Sequence, residues 1–135
     1  MSRRNFYTGK YALDKNEFLH AKYYALRYTK WKDEYQALED SSKAIRYDME
    51  KVQASGDFDP VEAAGMRRAE LAKKMETIER TAEETDPELA EWILQGVTQY
   101  FATFKYLSTV KRIPCGKDKY YHTRRKFYYL LSQKI

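Results

Sequence analysis

A segment near the C-terminus combines basic and aromatic residues at spacings that suit contacts with nucleic acid. Residues 117–132 contain five Lys or Arg, four Tyr and one His against a single acid, Asp118. Arg and Lys can pair with guanine edges, while Tyr and His can donate to phosphates or bases. A turn sequence at residues 113–116 and a short apolar stretch at 104–110 come before it. This order predicts a helix-turn-helix, whose second helix enters a DNA major groove.

The predicted second helix of this motif has an apolar side. On a helix that starts at about Lys117, a step of about 100° per residue places Tyr120, Phe127 and Leu131 together. We expect these side chains to pack against the preceding helix, at Phe104, Leu107 and Val110.

The other side of the same helix carries the candidate contacts to DNA. Lys117 and Lys119 lie near the helix start, where free amide groups and the helix dipole also favour phosphates. A basic helix that docks on an acidic protein face is the alternative reading of this side. The predicted DNA-binding residues are Lys117, Lys119, Tyr121, His122, Arg125, Lys126 and Tyr129.

The charge is distributed unevenly along the chain. The net charge of +5 divides into +6 for residues 1–32, −9 for residues 33–95 and +8 for residues 96–135. The aromatic residues follow the basic ends, with 8, 4 and 9 in the same three segments. Basic and aromatic clusters are typical of proteins that bind a polyanion. Alternatively, the two basic ends could pack on the acidic middle of the chain.

Several function classes are disfavoured by the residues that are present. With one cysteine, Cys115, the chain has no internal disulfide and no multi-cysteine metal site. His20 and His122 are far apart in sequence, so no familiar nucleophile–base pair is formed. The five glycines are scattered and form no phosphate-binding loop. We therefore predict a protein that is not an enzyme and that uses neither a cofactor nor a metal ion.

The sequence also bears on cellular location. No apolar run reaches the roughly 18–20 residues of a membrane span. The first residues lack the apolar core of a signal peptide. We expect a cytoplasmic protein with no membrane partner.

The pattern of caps and breaks predicts an all-α protein with three parts. Residues 1–13 form a basic N-terminal arm. Residues 14–84 form a long antiparallel, coiled-coil-like hairpin: one helix from the Asp14 capping box to residue 54, a break at 54–58, and a second helix from the Asp59 cap. Residues 85–135 form the helix-turn-helix module. The apolar stripes of these helices can pack against each other within one chain or against those of a second copy. The pattern therefore leaves undecided whether the protein forms a homo-oligomer.

A further helix is predicted between the hairpin and the motif. Residues 85–88 repeat the start signal of an acidic cap followed by proline. The apolar positions that follow end at Tyr100, and Gly96 lies between them, where it permits close packing or a bend.

Two stretches resemble a known family. Ile113-Pro-Cys-Gly, Tyr120-Tyr and residues 124–131 resemble the end of the RinA/ArpU-type late-gene transcription regulators of Gram-positive phages and prophages, which are similar to region four of sigma factors. Residues 47–55 resemble a segment between the long helices of related prophage proteins. The resemblance implies a cytoplasmic activator that binds double-stranded DNA and recruits RNA polymerase. This chain departs from the pattern at Gly116, where Ser is common, and at Ala54, where Thr is expected.

Two other functions are consistent with the same residues. A phage terminase small subunit, which takes part in DNA packaging, also joins a helix-turn-helix to a helical oligomerisation hairpin, and a ring-shaped oligomer would favour it. A helical adaptor that binds only protein would use the basic ends on an acidic partner. Absence of DNA binding at about 50 mM salt, where phosphate contacts are strong, would favour the adaptor.

Overall fold

Helices make up all the regular structure in the part of the chain that is described. The computed structural model describes residues 9–51 and 59–135, with side chains for residues 9–41 and 59–135. Within these ranges no strand occurs, which confirms the predicted all-α class. None of the helices in them is long and apolar enough to cross a membrane. The helices are α1 (Lys15–Leu26), α2 (Tyr28–Lys51), α3 (Pro60–Thr85), α4 (Ala90–Thr98), α5 (Phe104–Thr109) and α6 (Lys117–Ser132).

Three sequence predictions fall on residues outside this description. They are the break at residues 54–58, residues 1–8 of the predicted arm, and residues 52–55 of the second stretch that resembles prophage proteins.

The two long segments begin at the predicted caps. The Asp14 carboxylate accepts from the Glu17 amide at 2.8 Å, and the Glu17 carboxylate accepts from the Asp14 amide at 3.0 Å. Asp59 accepts from the amides of Val61 and Glu62 at 2.9 and 3.2 Å, one residue ahead of α3. Each cap satisfies amides that have no partner within the helix. Both predicted helix starts are confirmed.

The prediction of one uninterrupted helix from Asp14 to residue 54 is wrong. The helix stops at Leu26 and restarts at Tyr28. Between them, the Arg27 amide donates to Tyr24 O at 3.2 Å. This bond spans three residues instead of the four of an α-helix, so the chain makes a tighter turn there. No Gly or Pro marks this point in the sequence. The residues before the break are fixed by packing of α1 on α4 and α6, which local sequence does not encode.

Contacts divide the described residues into two compact units. The first combines residues 9–28 and 77–135. In it α1 packs against α4 and α6, and α4 also packs against α5 and α6. Its core includes Ala21 and Ala25 of α1, Ile93 and Val97 of α4, and Leu107 of α5, all buried. The end of α3 belongs to this unit, and Lys134 is bound there to Thr81 at 2.9 Å and to Glu84 at 2.6 Å.

The second unit lies within residues 29–76 and has an exposed network of charges. Arg67 donates to Glu34 at 2.7 Å and to Glu70 at 3.2 Å. Its buried side chains are Trp31, Ala64 and Leu71. The ammonium of Lys74 lies 5.3 Å from the Trp31 ring centre. Hydrogen bonding to Arg67 lowers the pKa of Glu34, so the ionised carboxylate is favoured beside the guanidinium.

The helix between α3 and the C-terminal module starts later and ends earlier than predicted. Asp86 accepts from the amides of Glu88 and Leu89, and this turn delays α4 until Ala90. The helix ends at Thr98, so Tyr100 is not part of its buried stripe and is 78% exposed. The expectation for Tyr100 is therefore wrong.

Candidate nucleic-acid interface

The buried side of α6 is the side that the sequence predicts. Tyr120, Phe127 and Leu131 are fully buried, at steps of seven and four residues that return to one helix face. The Phe104 ring centre lies 5.6 Å from that of Tyr120. Leu107 is also fully buried, but Val110, expected in the same contact, is 57% exposed. That expectation is wrong because α5 ends at Thr109, so Val110 lies beyond the helical face.

Gly96 allows α4 to approach this buried face closely. A Cβ atom at position 96 would lie 2.1 Å from the Tyr120 hydroxyl oxygen and 3.3 Å from Leu107 Cδ1. No side chain larger than hydrogen fits there without displacement of the tyrosine. Of the two roles that the sequence left open for Gly96, close packing is the one observed. Burial raises the pKa of Tyr120, so its hydroxyl stays neutral in this contact.

The segment that leads into α6 is fixed at several points. The Trp92 indole donates to the Lys111 carbonyl at 2.8 Å, and the Ile113 amide donates to Leu107 O at 2.9 Å. Arg112 has a φ of 55°, an uncommon conformation for a residue with a Cβ atom. Gly116 then caps α6 without a side-chain bond. These contacts position the start of α6 relative to α4 and α5.

Cys115 lies in this segment and is partly buried. Burial raises the pKa of its thiol. A raised pKa disfavours the thiolate, which is the reactive form, so the residue fits a packing role.

The residues predicted to bind DNA lie along the remaining surface of α6. Lys117, Lys119 and His122 are exposed, whereas Tyr121, Arg125, Lys126 and Tyr129 are partly exposed. The single acid of the helix, Asp118, is exposed as well.

The cationic side chains of α6 have no carboxylate partner among the described residues. No ion pair among the described residues involves the lysines or arginines of α6. The Nε atom of Arg125 is buried and has no hydrogen-bond partner among them. Lys134, just beyond the helix, does pair with Glu84. Unpaired positive charge concentrated on one helix is the electrostatic requirement for binding a polyanion. The cations are Lys117, Lys119, Arg124, Arg125 and Lys126.

The end of the predicted N-terminal arm contacts the same surface. The ring of Tyr11 lies 5.9 Å from His122 and 5.5 Å from Tyr129, centre to centre. Leu13 is buried, and the Lys10 ammonium lies 5.5 Å from the Tyr11 ring centre. Two of the predicted DNA-binding side chains therefore contact residues 9–13. The sequence gives no signal for this contact, because it joins residues more than a hundred positions apart.

Arg124 and Tyr128 are two residues of this site that the sequence analysis missed. The Arg124 guanidinium carbon lies 4.8 Å from the ring centre of Tyr121, and 5.9 Å from those of Tyr120 and Tyr128. Tyr128 is buried and its ring packs on Phe18 of α1 at 5.3 Å. Tyrosines three and four residues before Arg124 and four after it share one helix face, so this spacing is the signal that could have found the cluster.

A cavity of about 420 Å³ adjoins these residues. Four of the seven predicted DNA-binding residues line it, whereas Lys119, Lys126 and Tyr129 lie outside its lining. Burial raises the pKa of Tyr128 to about 12, so this phenol is neutral at physiological pH. The lining residues are Lys117, Asp118, Tyr121, His122, Arg124, Arg125 and Tyr128.

Comparison of the chain with protein-family models, with curated proteins and with solved structures finds no match. Within residues 9–41 and 59–135, no group of three or more His, Cys, Asp or Glu is arranged to hold a metal ion.

Proposed function

We propose that this protein is a DNA-binding transcriptional regulator that uses α6 as its recognition helix. The observation that carries the proposal is the set of five cations on α6 with no ion pair in the described part of the chain. Charges held in this way are free to displace the counterions of phosphates, which is the main source of affinity in protein–DNA binding.

In this proposal α5, residues 110–116 and α6 form a helix-turn-helix. Support comes from the aromatic contact between Phe104 and Tyr120 and from the fixed connection through Ile113. The connection is longer than the 3–4-residue turn common in such motifs, so α6 would be oriented mainly by its packing on α4 and α1. Lys117 and Lys119 would contact phosphates, and Arg125 would reach base edges.

The proposal extends to α2 and α3 as an antiparallel hairpin. In the second unit Trp31 contacts Lys74, and Glu34, which is later in α2, contacts Arg67, which is earlier in α3. This order supports antiparallel helices. The resemblance to phage late-gene regulators adds a role as a prophage-encoded cytoplasmic activator that recruits RNA polymerase, and no enzymatic activity.

A protein-binding adaptor is the second candidate function. Tyr100, Phe101 and Val110 are 78%, 61% and 57% exposed, and the rings of Phe101 and Tyr106 pack edge to face at 5.3 Å. An exposed aromatic side chain that packs on a second ring, as Phe101 does on Tyr106, can form part of a protein contact. Under this alternative the cations of α6 would bind an acidic protein surface instead of DNA.

The experiment that separates the two measures binding to duplex DNA over a range of salt concentrations. If α6 neutralises about 4–6 phosphates, log K falls against log salt with a slope of roughly −4 to −5. A slope near zero, or no binding at about 50 mM salt, would reject DNA binding and favour the adaptor.

Two substitutions then separate base reading from phosphate contact once a specific site has been selected. Arg125→Ala is expected to cost about 1–3 kcal/mol on the specific duplex and much less on a scrambled one. Lys117→Ala is expected to weaken both about equally, since phosphates carry no sequence information. Equal losses for Arg125→Ala on the two duplexes would remove this residue from base recognition.

A further inference from the structure

The cavity on α6 has a composition that is unusual for a packing defect. Its lining includes three permanent cations, Lys117, Arg124 and Arg125, and one imidazole, His122, against the single carboxylate of Asp118. Its volume of about 420 Å³ falls within the range of small-ligand pockets. Asp118 is exposed and forms no ion pair with these cations in the described residues. Within that part of the chain the positive charge of the cavity is not balanced.

Arg124 is held in place by aromatic rings. The rings of Tyr120, Tyr121 and Tyr128 lie within 4.8–5.9 Å of its guanidinium carbon. A guanidinium attracts ring faces, and its N–H edge then remains available for an anion. Because its position is already restricted, it loses little conformational freedom when it binds a ligand.

The tyrosines themselves do not neutralise Arg124. Burial raises the pKa of both Tyr120 and Tyr128, in spite of the opposing effect of the Arg124 charge. Both phenols are therefore neutral at physiological pH. A cation partly withdrawn from water and surrounded by neutral groups gains most from an external anion.

Arg125 adds a second point of attachment. Its Nε is buried and has no hydrogen-bond partner in the described residues. A buried donor without an acceptor is unfavourable, and an anionic oxygen bound to this guanidinium would offset part of that cost. A phosphate offers several oxygens in a tetrahedral arrangement and can accept from two guanidinium groups at once.

We propose that this cavity binds a phosphate group, with Arg124 and Arg125 as its principal donors and Lys117 at its rim. The phosphate belongs either to the backbone of bound DNA, in which case Arg125 contacts the backbone instead of a base edge and its loss weakens specific and scrambled duplexes equally, or to a free phosphate-bearing molecule. The inference deepens the proposed function, since it uses the same face of α6, but it adds a discrete site with Arg124 as its anchor.

The test measures binding of inorganic phosphate to the full chain by calorimetry and by NMR, against sodium chloride at matched ionic strength. Saturable binding of phosphate is expected. Arg124→Gln and Arg125→Gln should each weaken it by about tenfold or more, equivalent to about 1.4 kcal/mol. Lys105→Gln removes an exposed cation of α5 outside the cavity and is the matched control, expected to bind phosphate like the unaltered chain.

Further variants guard against a purely structural effect of Arg124. Arg124→Lys keeps the charge but loses the planar pair of donors, so phosphate binding should stay clearly weaker than in the unaltered chain. If Arg124→Gln does not fold by circular dichroism, Arg125→Gln decides. The proposal is overturned if the unaltered chain shows no saturable binding, or if the cavity variants bind phosphate as well as Lys105→Gln does.

Competition with duplex DNA distinguishes the two sources of the phosphate. Competition by inorganic phosphate, with weaker DNA binding by Arg124→Gln, supports a backbone phosphate. Arg124→Gln that loses phosphate binding but keeps its DNA affinity supports a free phosphate-bearing ligand. DNA binding with the expected salt slope but without a phosphate site rejects the cavity and retains the proposed function. Phosphate binding in the cavity without any DNA binding retains the phosphate site and rejects the proposed function.

Discussion

Arg67 of the second unit and the arginines of α6 differ in which groups surround them. Arg67 is held by two carboxylates, Glu34 and Glu70, and hydrogen bonding from Arg67 lowers the pKa of Glu34. Arg124 is held by three neutral aromatic rings, and Arg125 leaves a buried donor without a partner in the described residues. The first arrangement satisfies its charges internally, whereas the second leaves them for a ligand. The count of basic residues in a segment therefore does not by itself show what those residues bind.

The largest effect is expected from the buried face of α6, on which the difference depends. Phe127→Ala should lower the free energy of unfolding by about 3–5 kcal/mol, because the ring is fully buried. Chemical denaturation followed by circular dichroism measures this loss. Lys126→Ala, one position earlier on the partly exposed side, should change stability by less than about 0.5 kcal/mol. Full stability of Phe127→Ala would mean that α6 is rotated and that its cations face elsewhere.

Local signals in the sequence predicted local structure well. The caps at Asp14 and Asp59 were recognisable because the residues that make each hydrogen bond lie within three positions of one another. The start of α6 at Lys117 is equally local.

Features that depend on distant contacts could not be predicted in the same way. The break at Arg27 has no Gly or Pro to mark it, and the contact of Tyr11 with His122 joins the two ends of the chain. The place of Arg124 among three tyrosines was visible as a spacing, but its lack of a carboxylate partner in the described residues depends on tertiary structure. The faces of α6 were therefore predictable, and the state of its charges was not.

A second, smaller effect concerns alkaline pH. The pKa of Tyr128 is raised to about 12 by burial, whereas in the unfolded chain it is near 10. The folded state thus favours the neutral phenol, and this contribution is fully present below about pH 10 and is lost as the pH rises towards 12. The loss is on the order of 3 kcal/mol for a shift of about two pH units.

Urea unfolding at about pH 9 and about pH 12 measures this dependence on pH. Tyr128→Phe should reduce it, whereas Tyr100→Phe, at an exposed position, should leave it unchanged. An equal pH dependence in Tyr128→Phe and in the unaltered chain would show that the ring beside Arg124 is not the buried neutral group inferred here.

The smallest effect is expected at Arg67 of the second unit, which is already paired with two carboxylates. Arg67→Gln removes the partner that lowers the pKa of Glu34, so this pKa should rise towards its ordinary value in an NMR titration. The stabilising contribution of the pair is present above the unfolded pKa of Glu34 and is lost as the pH falls through the lower folded value. Because both side chains are exposed, the change in stability should be slight.

The DNA affinity of Arg67→Gln should stay within about twofold of the unaltered chain. Arg125→Gln should weaken it, because only an unpaired cation is available to release counterions from phosphates. If Arg67→Gln and Arg125→Gln weaken DNA binding equally, pairing with a carboxylate does not decide which cations serve DNA, and the contrast between the two regions fails.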